Sequence, residues 1–137
     1  AAARSLGADW PAILSAIEKF GGVGRRFEHV GEVGGVLVID DYAHHPTELA
    51  AALRAARAMF PDRNLVAVFQ PHLFSRTRDF ARQFGEALSI ADHVFVTDVF
   101  PAREQPIPGI TGQTISDAVV AAGGRSVDYV ESLDDVA

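Results

Sequence analysis

The sequence predicts an α/β domain with a mostly parallel sheet, flanking helices and an N-terminal antiparallel hairpin strand. Two observations lead there. Strand-like segments at residues 36–39, 65–69, 93–98 and 126–130 alternate with helical periodicity at 47–60, 77–88 and 114–122. Such alternation over short connections is what parallel βαβ units produce. Polar residues also gather directly after these segments, where open α/β sheets place their ligand groups.

Taken in order, residues 9–20 read as a helix. Asp9 can cap it, Pro11 suits the first turn, and Ile13, Leu14, Ile17 and Phe20 form one apolar face. Gly21, Gly22 and Gly24 end it as a hinge. Residues 27–33 and 36–40 pair as a hairpin about Gly34-Gly35. Val36-Leu37-Val38-Ile39 is a continuous apolar run, the pattern of a strand buried on both faces.

Pro46 and Glu48 announce the next helix, since proline's fixed φ suits a first turn and a carboxylate suits the positive end of the dipole. Leu49, Leu53, Ala56 and Phe60 form its buried side, and Pro61-Asp62 closes it. A second buried strand, 65–69, ends at Gln70-Pro71-His72. The helix at 77–88 stacks Phe80, Phe84 and Leu88, with Ser75 or Thr77 as its cap. After the strand at 93–98, residues 99–112 hold three prolines and two glycines and read as irregular. Gly123-Gly124 stops the helix at 114–122, and a helix start follows the last strand at 132–135.

Composition narrows the function classes. A chain of 137 residues, 48% hydrophobic and 22% charged, is globular and fits one domain with a sizeable core. A net charge of −6 argues against a nucleic-acid partner, because a phosphate backbone demands a basic face. No apolar run reaches the roughly 20 residues of a membrane span. Ala1 to Gly7 lack the regions of a signal peptide. Without cysteine there is no disulfide framework and no thiolate nucleophile, which is compatible with the cytoplasm. The chain lacks an initiator Met and reads as a piece of a longer protein.

Three polar clusters are expected to converge on one edge of one sheet: Asp40 to His45, Gln70 to Arg78, and Asp98 to Glu104. In the first, Asp40, Asp41, Tyr42, His44 and His45 stand between a strand and a helix start. Adjacent histidines point in different directions, and no His-x3-His spacing or cysteine supports a zinc site. The alternatives are a carboxylate beside a magnesium nucleotide and, for His45, a capping role at the helix. In the second cluster, Arg76 and Arg78 can clamp a carboxylate or phosphate through their planar forks. The bland alternative pairs Arg78 with Asp79 or Glu48 and leaves Arg76 solvated. Arg25 and Arg26, just after the glycine hinge, can reach a nucleotide phosphate or form an ordinary solvated charge run. No Walker A motif, no G-x-G-x-x-G fingerprint and no G-x-S-x-G elbow is present, so any phosphate cradle must lie elsewhere.

Four ordered motifs carry a resemblance: Gly24-Arg25-Arg26-Phe27-Glu28, the stretch from Asp40 to Glu48, Phe69-Gln70-Pro71-His72-Leu73-Phe74-Ser75-Arg76-Thr77, and Asp98-Val99-Phe100-Pro101-Ala102-Arg103-Glu104. Together they resemble the C-terminal domain of the Mur ligases, specifically the branch that adds alanine. The Gln-Pro-His-x-x-Ser-Arg-Thr segment narrows the match to that branch. The resemblance implies a Rossmann-like domain of an ATP-dependent ligase that joins L-alanine to UDP-N-acetylmuramate in peptidoglycan synthesis through an acyl phosphate. It implies ATP with Mg2+, bound mainly by a central ATPase domain carrying the P-loop. Residues 1–24 would be that domain's last helix, spanning Ala1 to Phe20, plus the hinge; residues 25–137 would be the amino-acid-binding domain.

By the same resemblance, Arg25, Arg26, Asp41 and His44 contact the nucleotide, while Tyr42, His72 and Arg76 hold the amino acid. No metal ligand is assigned. Where some relatives carry arginine this chain has Leu73, so a two-arginine clamp becomes a single-arginine one. Relatives continue past Ala137 with another strand, so the sheet is expected to lack an edge strand. The competing readings are a sibling ligase with another amino acid or peptide substrate, and a nucleotide or amino-acid sensor without chemistry.

Overall fold

The structure is a computed structural model that describes residues 2–136. The chain divides between Tyr42 and Ala43 into two compact units.

The first unit contains α1 (Ala2–Ser5), α2 (Trp10–Glu18), β1 (Glu28–Val33) and β2 (Val36–Asp40). Asp9 caps α2 as expected, its Oδ1 accepting the Ala12 N–H at 2.8 Å. The single helix expected from Ala1 to Phe20 is instead two, separated at Gly7, whose φ is 91°; Ala1 lies outside the described residues. β1 and β2 form the antiparallel hairpin. Gly34 and Gly35 have φ of 59° and 81°, the double left-handed turn that matches strand twist.

β2 departs from its expected burial and placement. Val36 and Val38 are exposed, and β2 pairs with β1 in a two-stranded sheet of its own. The tight glycine turn explains this, because it commits β2 to the strand immediately before it. Three strand ends therefore do not share one sheet; only those of the later strands do.

The second unit contains α3 (Pro46–Met59), β3 (Val66–Phe69), α4 (Phe74–Leu88), β4 (His93–Val96), α5 (Gly112–Ala121) and β5 (Val127–Tyr129), with a short 3-10 turn at Leu133–Val136. The three strands are parallel in the order β3-β4-β5. One core cluster joins Leu49, Ala50 and Leu53 of α3, Phe84 and Leu88 of α4, and Ile115 and Val119 of α5 to Ala67, Phe69, Val94 and Val96 of the sheet. Each large side chain buried this way contributes about 1.5–3 kcal/mol. β3 alternates: Ala67 and Phe69 point into the core while Val66 and Val68 remain exposed. Its continuous apolar run predicts burial on both faces, but the three helices cover only one.

At the amino-terminal end of the sheet, Asp92 accepts the Leu65 N–H at 2.9 Å and pairs with Arg57 and Arg125 at 2.7 Å each. The Leu65 N–H and the Arg57 guanidinium hold the Asp92 carboxyl below the usual range.

α4 and α5 approach so closely that a Cβ on Gly85 would lie 2.3 Å from the Ala118 carbonyl oxygen. Alanine's better helix propensity, worth about 1 kcal/mol, opposes that clash. Overpacking against backbone is the larger effect, so Gly85→Ala is predicted to destabilise the chain by about 1–3 kcal/mol in urea denaturation. Adding Ala118→Gly should not restore the midpoint, because the obstructing atoms are backbone. An unchanged midpoint in Gly85→Ala would mean the two helices can separate at no cost.

Candidate functional site

β3 and β4 deliver their carboxyl ends side by side, and their pairing continues beyond the regular strands. The Thr97 N–H donates to Phe69 O at 3.0 Å, Phe100 N–H to Pro71 O at 2.8 Å, and Leu73 N–H to Phe100 O at 3.0 Å. His72 and Phe100 thereby form an isolated parallel bridge. Their rings stack with centroids 5.7 Å apart and planes 20° from parallel. The His44 ring approaches the other histidine edge-on, at 6.4 Å.

Directly after His72 the chain turns sharply into α4. Leu73 has φ 70° and ψ 130°, a conformation that costs a side-chain-bearing residue on the order of 1–3 kcal/mol. Neither Ser75 nor Thr77 caps the helix, which begins at Phe74, about one turn before the expected start at residue 77. The Thr77 hydroxyl donates back to Leu73 O at 2.8 Å. The cap comes from Glu104, on the loop after β4. Its Oε2 accepts the Ser75 N–H at 2.8 Å, and its Oε1 accepts the Ser75 hydroxyl at 2.5 Å. These two bonds, the hydroxyl's first, hold the Glu104 carboxyl below its usual range. A helix N-terminus favours anions in general, and this one already faces the protein's own carboxylate.

Arg76 stands one residue further along α4. Its Nη1 donates to the His44 carbonyl at 3.2 Å, tying α4 to the segment before α3. Since the guanidinium has five donors, most of its fork is not used by that bond. Arg78 takes the bland alternative, pairing with Asp79 at 2.7 Å on the surface. His44 itself lies beside Glu48, with Nδ1 3.6 Å from Oε2. His45 caps α3 as expected, its Nδ1 accepting the Thr47 N–H at 3.3 Å while its ring packs on Phe80 at 5.1 Å.

His72 has the most informative environment. Its Nδ1 is buried without a hydrogen-bond partner. Burial, followed by the positive charge of Arg76 and then His44, lowers its pKa; the Glu104 charge opposes this. A buried polar atom lacking a partner within the chain calls for an explanation, such as strain or a partner from outside the chain.

The remaining sequence-predicted residues belong to the first unit. Arg25 and Phe27 adopt left-handed φ of 56° and 51°. The Arg25 N–H donates to Glu28 at 2.6 Å, its Nε to Asp40 at 3.0 Å, and its guanidinium lies 5.0 Å above the Tyr42 ring. Asp41 Oδ2 accepts the Phe27 N–H at 2.8 Å. Arg26 is exposed beside this turn. The structure thus groups Tyr42 with Arg25 and Asp41, and His44 with His72 and Arg76. The third motif is architectural at its start, where Asp98 accepts the Gly112 N–H of α5 at 3.0 Å. Sequence reasoning missed Glu104 as a cap and Phe100 as the ring under His72. The one available signal was that Leu73 is a poor N-cap residue. Among the described residues, no three His, Asp or Glu side chains gather as a metal cage. No described helix is long and apolar enough to cross a membrane.

His72 should therefore titrate below the ordinary histidine value of about 6.5 in an NMR pH series. Arg76→Ala should move its midpoint upward, by removing a neighbouring positive charge. The unfolded chain binds this proton more readily than the folded one, so stability rises with pH across the window. Neutral His72 is thus fully tolerated above the unfolded value, and stability is lost as pH falls from there toward the folded midpoint. A midpoint at or above the ordinary value would contradict the described burial.

Comparison with known proteins agrees with this architecture. The family described as Mur ligase, glutamate ligase domain, matches residues 25–137. The chain is 55% identical to the UDP-N-acetylmuramate–L-alanine ligase of Cutibacterium acnes, over 96% of this chain and 28% of that protein. It is 34% identical to the solved UDP-N-acetylmuramate-alanine ligase of Thermotoga maritima, with a TM-score of 0.77, covering 98% of this chain and 27% of that one. A murein peptide ligase from Psychrobacter arcticus is 28% identical, with a TM-score of 0.68 over 98% of this chain and 28% of that one. The chain thus spans little more than a quarter of the length of these relatives. On the match over residues 25–137, the chain belongs to the Mur ligase, glutamate ligase domain family.

Proposed function

We propose that the chain is the amino-acid-receiving part of an ATP-dependent ligase that joins L-alanine to UDP-N-acetylmuramate in peptidoglycan synthesis. The observation that carries this reading is the buried, unpartnered Nδ1 of His72 in a cluster with Arg76 at the ends of two parallel strands. Arg76 offers a planar fork suited to the carboxylate of a free amino acid. His72, held neutral at neutral pH, supplies a hydrogen bond without a second positive charge. The 55% identity to an alanine-adding ligase supports alanine as the amino acid.

In this reading Arg25, Arg26 and Asp41 serve the nucleotide, while Tyr42, beside Arg25, and His44, beside His72, lie between the nucleotide and the amino acid. The N–H groups of Arg25 and Phe27 are taken by Glu28 and Asp41. The turn therefore offers a nucleotide its side chains rather than a backbone cradle. ATP supplies the phosphoryl group that activates the muramate carboxylate; its phosphates and Mg2+ are held mainly by the remaining domains of the same protein. Residues 1–24 are assigned to the end of the preceding domain and the hinge. The intact enzyme is assigned to the cytoplasm, a location compatible with a chain that has no cysteine.

A second reading, a sibling ligase that takes a peptide in place of alanine, draws on the likeness to the murein peptide ligase. Assaying the intact ligase with L-alanine and with a murein tripeptide separates the two, since only one should be consumed.

The isolated chain is predicted to show no ATP-dependent ligation, because acceptor, phosphate cradle and amino-acid site must close together. Detectable turnover by the chain alone would overturn that. In the intact enzyme, Arg76→Ala should raise KM for alanine by roughly tenfold or more while KM for ATP stays put. An unchanged alanine KM would remove Arg76 from the carboxylate site.

A further inference from the structure

We infer that Glu104 is a positioning residue for the amino-acid site, acting through the first turn of α4 without touching the substrate. The inference rests on the reading of His72 and Arg76 given above.

Three observations support it. First, α4 starts from an unfavourable residue: Leu73 is strained at φ 70° and offers no capping side chain. Second, the missing cap is supplied across 29 residues by Glu104, which engages both the N–H and the hydroxyl of Ser75. Third, Ser75 is flanked by the functional pair, with His72 before the turn and Arg76 immediately after it. A helix's first turn frays when its N–H groups are unsatisfied. Fraying here would release Arg76 from its bond to the His44 carbonyl and let His72 swing off Phe100.

Glu104 also answers an electrostatic problem. His44, His72 and Arg76 bring cationic or ionisable groups together beside the positive end of a helix dipole. A fixed carboxylate at that terminus keeps a second anion from settling there, so the substrate's carboxylate meets the Arg76 fork and not the bare helix end. Alanine in place of Glu104 would lose both effects. Glutamine would retain an acceptor for the Ser75 N–H and a partner for its hydroxyl, but not the charge.

The test uses the intact ligase, with Glu104→Ala and Glu104→Gln measured beside Arg76→Ala. Glu104→Ala is expected to raise KM for alanine roughly tenfold, with kcat within about twofold of the parent and KM for ATP unchanged. Glu104→Gln should recover most of the alanine KM, while the His72 midpoint falls because the opposing negative charge is gone. If Arg76→Ala raises the alanine KM and Glu104→Ala does not, the positioning role is overturned and the amino-acid reading stands. If neither changes it, the amino-acid reading itself falls, and the inference with it. A Glu104→Ala enzyme with a lowered thermal midpoint and with kcat and every KM impaired together would make the residue merely structural. Glu104→Gln as impaired as Glu104→Ala would overturn the positional account too.

Discussion

The parallel pairing of β3 with β4 is the constraint on which the second unit depends. Val66 lies opposite His93 and Phe69 opposite Val96, and that register buries Ala67, Phe69, Val94 and Val96 on one face. The same pairing runs on past the strands into loops that would otherwise be free. By forming the bridge between His72 and Phe100, it decides which ring lies under His72. It also brings the loop after β4 close enough for Glu104 to reach Ser75. The register of a four-residue strand thus becomes the geometry of the candidate site.

The two ends of this sheet use carboxylates differently. At the amino-terminal end, Asp92 draws in two arginines and the Leu65 N–H, closing a charge set upon itself. At the carboxyl end, Glu104 binds a helix terminus and leaves most of the Arg76 fork available. One arrangement consumes its cations in holding strands and helix together. The other stabilises the backbone while preserving a cation for use. This matches the general rule that open α/β sheets keep their chemistry beyond the carboxyl ends of the strands.

How far the sequence made this legible depends on the range of the interaction. Local signals read correctly: the Asp9 cap, the His45 cap, the Gly34-Gly35 turn, and the Phe84 and Leu88 stripe all act within a few residues. The sheet to which β2 belongs did not follow from its apolar run, because periodicity reports hydrophobicity and not pairing partners. The start of α4 lies at Phe74 and not at residue 77 because its cap comes from another loop, whereas a neighbouring side chain is the only cap that local sequence can signal. The site residues His72 and Arg76 were visible as types in a suspicious place. Their arrangement was not, because it depends on a strained Leu73 that no propensity scale would favour.

The dependence of α4 on Glu104 has a consequence for the order in which this protein can form as it leaves the ribosome. β3 and α4 are synthesised well before the loop that completes them. Until Glu104 emerges, the first turn of α4 has neither its cap nor the bridge through Phe100 that holds Leu73 in its unfavourable conformation. The body of α4 can form early from its own periodicity, but its first turn must wait for the chain that follows β4. In transition-state terms, Phe84 and Leu88 would report early structure and Ser75 late structure, on one and the same helix.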